Sequence, residues 1–115
     1  MKERNMILAN IGSGSSYLPD IAEMLIERRD KMQVEEWWLM DIDEYRLNCT
    51  GKYVQKMFED ANMPTKIVLT NNLEEAVQNC DFVICTIRPG KSDARNLDET
   101  IPFKHGLIGQ ETTAP

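Results

Sequence analysis

The sequence predicts a doubly wound α/β domain of three layers, with a parallel sheet in the strand order 3-2-1-4. Two observations carry that expectation. Short apolar runs alternate with segments of helical periodicity in the order β-α-β-α-β-α-β, which calls for parallel strands joined by right-handed crossovers. The first apolar run also breaks at a glycine turn, Ile11-Gly12-Ser13-Gly14-Ser15-Ser16-Tyr17-Leu18-Pro19, that leads directly into an amphipathic pattern.

Met6 to Ile11 is almost continuously apolar, as a strand buried on both faces should be. After the turn, Leu18, Ile21, Ala22, Leu25 and Ile26 recur at helical spacing, with Pro19 in the first turn and Ser15 or Ser16 as cap. Residues 35–42 form the second strand, and Asp43 caps a long helix whose apolar side carries Leu47, Val54, Met57, Phe58 and Ala61. Asn62-Met63-Pro64 stops that helix. Lys66 to Thr70, rich in β-branched residues, is the third strand, and Asn72, with Glu75 three residues on, starts a short helix to about Asn79. Asp81 to Ile87 is the fourth and most apolar strand. From Arg88 onward the chain is polar with little core periodicity, so residues 88–115 read as an active-site segment at the end of a domain spanning 1–115.

Composition bounds the function. The 115 residues suffice for one domain with its own core, and the apolar fraction of 42% with 28% charged residues is that of a globular protein. A net charge of −6 argues against a nucleic-acid surface. No stretch approaches the length of a membrane span or a signal-peptide core, so a cytoplasmic location is expected. The 3 cysteines, Cys49, Cys80 and Cys85, have no metal or redox spacing; Cys80 and Cys85 read as small buried hydrophobes.

The glycine turn admits two readings, an ordinary Gly/Ser loop or a cradle for a pyrophosphate on main-chain N–H groups. The full dinucleotide fingerprint has a third glycine where this chain has Tyr17. Asp41 ends the second strand, where a dinucleotide fold places an acid on the adenosine ribose; with Asp43 better placed to cap, Asp41 is left for that role, and its charge favours NAD over NADP. Arg88, Lys91 and Arg95 form either an anion site or a solvated loop. His105, the single histidine, is structural, and Tyr17, Tyr45, Trp37 and Trp38 are packing residues, one tryptophan being partly exposed.

The stretches Ile11 to Tyr17, Asp41-Ile42-Asp43, Asp81 to Ile84, Thr86-Ile87-Arg88-Pro89-Gly90, and Arg95 through Asp98-Glu99 and Ile101-Pro102 to Gly109-Gln110-Glu111-Thr112 together resemble the N-terminal part of glycoside hydrolase family 4. These are NAD- and divalent-metal-dependent phospho-glycosidases, and the resemblance leans to the 6-phospho-β-glucosidases. It implies a Rossmann-like NAD-binding domain and a redox route to glycoside cleavage in place of two carboxylates flanking the bond. In the family, hydride leaves C3 of the sugar for NAD, a tyrosine base takes the C2 proton, the aglycone is eliminated, water adds and the hydride returns.

Carried over residue by residue, the resemblance implies that Gly12, Ser13, Gly14, Ser15 and Ser16 hold NAD phosphates and Asp41 the ribose. Thr86, Ile87 and Arg88 then border the nicotinamide, Arg95 binds the sugar or its 6-phosphate, and Glu111 raises the basicity of the tyrosine. The family's tyrosine, its cysteine and histidine ligands for Mn²⁺ and its substrate domain all lie beyond Pro115, so no metal site is expected in this chain, which should bind NAD weakly and cleave nothing alone. The expected partner is a small 6-phospho-glycoside, with oligomeric state open. Two other readings stand beside this one: a non-catalytic NAD-binding module, and an NAD-dependent 2-hydroxy acid dehydrogenase.

Overall fold

A computed structural model describes residues 6–87 and 91–108. Four strands and four helices alternate: β1 (Met6–Ile11), α1 (Leu18–Glu27), β2 (Val34–Met40), α2 (Glu44–Asp60), β3 (Lys66–Thr70), α3 (Leu73–Val77), β4 (Phe82–Cys85) and α4 (Lys91–Lys104). The sheet order is β3-β2-β1-β4, and β1 pairs in parallel with both β2 and β4, as the sequence pattern predicts. The direction of winding reverses at β1, so its carboxyl end opens at the switch point of the sheet.

Alternation along the strands assigns the layers. Leu8, Trp37 and Leu39 turn to one face and pack with Leu18, Ala22 and Leu25 of α1 and Leu47, Val54 and Phe58 of α2. Trp37 is fully buried and stacks on Phe58 at a centroid distance of 5.4 Å. Ile11 and Met40 turn to the other face and meet Ala76 of α3, with Trp38 and Val77 at the margin. Helix α2 starts where its cap requires, Asp43 accepting from the Arg46 amide at 3.1 Å, and α3 starts at Asn72, which accepts from the Glu75 amide at 3.2 Å.

Several expectations need correction. The polar segment after Arg88 contains a helix, α4, with Pro102 inside it. On it Leu97, Ile101 and Phe103 are exposed. Strand β4 takes the place after β1 that the order 3-2-1-4 predicts, and among the described residues Phe82 is 60% exposed and Val83 is exposed beside it. Cys85 shares that exposure and Cys80 is only half-buried, so neither is a core hydrophobe. Tyr17 and Tyr45 are exposed, not packed. Helix α1 begins at Leu18 with Tyr17 as its cap residue and no side-chain cap; the Ser15 hydroxyl accepts instead from the Tyr17 amide at 3.2 Å, within the turn. Among the described residues no helix is long and apolar enough to cross a membrane.

Candidate functional site

The carboxyl end of β1 is the best-organised part of the surface. Gly12 adopts a φ of +91°, and a Cβ there would lie 2.7 Å from the Thr86 carbonyl oxygen, so glycine is required twice over. Thr86 continues from β4 and is tied to the loop from its own side. Its amide donates to the Ile11 carbonyl at 2.8 Å and its hydroxyl reaches the Gly12 carbonyl at 3.1 Å.

The loop's N–H groups can be followed one by one. Gly12 and Ser13 both donate to the Met40 carbonyl, Gly14 donates to Asp41 Oδ2 at 2.7 Å, and Ser15 donates to the Gly12 carbonyl. Tyr17 and Leu18 donate to Ser15, through its hydroxyl and carbonyl respectively. That leaves Ser16, exposed at the entrance to α1, as the loop residue whose N–H has no acceptor among the described residues. A helix N-terminus carries a partial positive charge, so an anion at Ser16 would be favoured on both counts. Ser13 is fully buried and its hydroxyl donates to the Asn10 carbonyl at 2.7 Å, so its visible work is to shape the loop.

Asp41 sits at the end of β2. Besides Gly14 it accepts from the Asp43 amide through Oδ1 at 2.9 Å, which fixes the carboxylate plane across the mouth of the loop. Each oxygen of a carboxylate has two acceptor sites, so both remain able to accept a hydroxyl. Gly14 is glycine for a packing reason: a Cβ there would lie 2.7 Å from Asp41 Oδ2 and 2.7 Å from the Arg46 Cβ.

The structure therefore brings together Gly12, Ser13, Gly14, Ser15, Ser16, Asp41 and Thr86, with Ile87 exposed beside them. Arg95 lies on α4, half-exposed, where its Nε stands 3.4 Å from Glu99 Oε1. Arg88 and Glu111 lie outside the described residues, as does the side chain of Lys91. Among the described residues no group of three or more His, Cys, Asp or Glu is arranged to hold a metal ion.

Three participants were missed in the sequence. Thr50, on α2, donates to the Ser13 carbonyl at 2.7 Å and so ties the loop to the second helix. Arg46 packs over Gly14. Asn10, only 1% exposed, has no hydrogen-bond partner for either side-chain polar atom among the described residues. Residue 10 falls inside an otherwise apolar strand, and that was the available signal.

Residues 7–115 match the family described as family 4 glycosyl hydrolase. The chain is 42% identical over 114 residues to a probable 6-phospho-beta-glucosidase of Bacillus subtilis, covering 97% of this chain and 26% of the relative. It superposes on the 6-phospho-beta glucosidase of Thermotoga maritima, solved with NAD and glucose-6-phosphate, with a TM-score of 0.83 at 37% identity, covering 96% of this chain and 26% of that one. A 6-phospho-alpha-glucosidase from gut microorganisms, solved with NAD and Mn²⁺, gives a TM-score of 0.82 at 28% identity over 95% of this chain and 25% of the other. The chain thus spans about a quarter of the length of the relatives it matches. With a parallel sheet in the order 3-2-1-4, a glycine loop locked to an acid at the end of β2, and a family match running from Ile7 to Pro115, the chain belongs to the family 4 glycosyl hydrolases.

Proposed function

We propose that this chain supplies the NAD-binding portion of a 6-phospho-β-glucosidase. The observation that carries the reading is the Asp41 carboxylate at the end of β2, held by the Gly14 amide at 2.7 Å across the mouth of the glycine loop. The residues present fit the cofactor: a Ser16 N–H at a helix start with no acceptor among the described residues, for a phosphate, and two carboxylate oxygens with acceptor sites left for ribose hydroxyls. Bound there, NAD would supply a reversible hydride acceptor for a sugar carbon.

The chain's own residues do the positioning. Gly12, Ser13 and Gly14 set the loop's path, and Ser15 and Ser16 present it to the pyrophosphate. Asp41 holds the adenosine ribose and by its charge turns away a 2′-phosphate. Thr86, Ile87 and Arg88 border the nicotinamide, Arg95 takes the sugar or its 6-phosphate, and Glu111 acts on the base that removes the sugar proton. The preference for a β-linked substrate rests on the identity to the β-glucosidases. Mn²⁺ is expected in the longer protein, and no step is assigned to a metal on the described residues. A cytoplasmic site of action suits a phosphorylated sugar substrate.

Calorimetric titration of NAD into the 115-residue chain tests the cofactor half of the proposal, with saturable heat expected. A chromogenic 6-phospho-β-glucoside with NAD, Mn²⁺ and reductant tests the other half. The longer protein should turn it over and this chain alone should not.

A further inference from the structure

We infer that Asn10 is a positioning residue for the glycine loop, its buried side-chain amide serving the cofactor-bound state of the loop and not the sheet in which it stands. The inference rests on the reading of the loop as an NAD site. Asn10 lies near the carboxyl end of β1, just before Gly12, with 1% of its surface exposed. Neither its Nδ2 nor its Oδ1 has a hydrogen-bond partner among the described residues. A buried amide left unpaired lowers stability, so its presence calls for a use that packing does not give.

The sheet supplies none. The register neighbours of Asn10 are Leu39 on β2 and Ile84 on β4, which with Leu8 face the layer closed by α1 and α2. The polar structure tied to Asn10 is the loop itself. The Asn10 carbonyl accepts from the hydroxyl of the fully buried Ser13, and the Ser13 carbonyl accepts from Thr50 on α2. One residue on, the Gly14 carbonyl has no donor among the described residues, and the Ser15 N–H makes a 3.2 Å bond to the Gly12 carbonyl. A trans peptide is planar, with its C=O and N–H pointing opposite ways. In the bound state Asn10 Nδ2 donates to the Gly14 carbonyl from beneath, which turns the Ser15 N–H outward and adds a second main-chain donor for the pyrophosphate beside that of Ser16. The cofactor thus gives the amide its partner, and the gain is read as affinity for NAD.

The test compares Asn10→Val with Asn10→Thr, which have nearly the same shape and differ in a hydroxyl. Each variant and the unaltered chain are titrated with NAD by calorimetry, and their urea midpoints are measured. The side-chain amide signals of Asn10, identified by their loss in Asn10→Val, are followed by proton–nitrogen NMR as NAD is added to the unaltered chain. The expected result is an Asn10→Val chain that is more resistant to urea yet binds NAD at least about fivefold more weakly, an Asn10→Thr chain that recovers part of that loss, and Asn10 amide signals that shift as NAD saturates. Undiminished NAD affinity in Asn10→Val, an equal loss in both variants, or amide signals that do not move overturns the inference while leaving the NAD reading standing. A lowered urea midpoint in Asn10→Val also overturns it, because the amide then has a partner in the free chain. Failure of the unaltered chain to bind NAD overturns both.

Discussion

The amide of Gly14 donates to Asp41 Oδ2 at 2.7 Å across 27 residues of chain, so the glycine loop and the acidic strand end are one rigid unit. The glycine at 14 has no positive φ; it is there because a Cβ would strike Asp41 and Arg46. Gly14→Ala should therefore cost about 1–3 kcal/mol of stability by overpacking and weaken NAD binding by displacing the carboxylate. Urea denaturation followed by circular dichroism and NAD titration check the two halves; a variant unchanged in both would refute the coupling.

Gly12→Ala should be worse. Its Cβ would meet the Thr86 carbonyl, which is backbone and cannot swing away, and the φ of +91° is strained for any L side chain. A loss of about 2–4 kcal/mol is expected from strain and overlap together. The ranking is checked by comparing urea midpoints of the two variants, with Gly12→Ala the lower.

Thr50→Val removes a hydroxyl that bridges α2 to the Ser13 carbonyl at 2.7 Å, in a side chain of nearly the same shape. A loss of about 1 kcal/mol is expected, the usual net value of one such bond. Hydrogen exchange at Gly14 and Ser15, whose amides are bonded within the loop, should quicken relative to β2, because the change loosens the loop and not the sheet.

Asn10→Val should stabilise. Both polar atoms of the Asn10 amide are buried without partners among the described residues, and its register neighbours on β2 and β4 are Leu39 and Ile84. Replacing it with an apolar β-branched residue removes two unmet hydrogen-bonding groups at little change in volume, for a gain of about 1–2 kcal/mol. A fall in the urea midpoint would mean that the amide has a partner after all.

Most of the fold was legible, for identifiable reasons. Strands β1 and β2 and helices α1 and α2 carry buried apolar residues where their patterns predict them, so burial wrote the sequence. Asp43 and Asn72 announced their helices because a cap needs a particular side chain at a particular place. Strand β4 was legible in its place in the sheet, beside β1. Helix α4 was not read because its polar residues, with Pro102 inside it, look like loop. At the site, Gly12, Gly14 and Asp41 were legible as residue types with few other uses. The parts that were not, Thr50 over Ser13 and Arg46 over Gly14, depend on how α2 lies across the loop, and no local pattern encodes that.

The most direct test of the account is a calorimetric titration of NAD into the unaltered chain, repeated with Asp41→Ala. Saturable binding, with a dissociation constant on the order of a millimolar or tighter, that weakens at least about tenfold in the variant is the predicted result. No saturable heat at millimolar NAD, or equal binding by the two proteins, would contradict the assignment of the loop and Asp41 as the cofactor site.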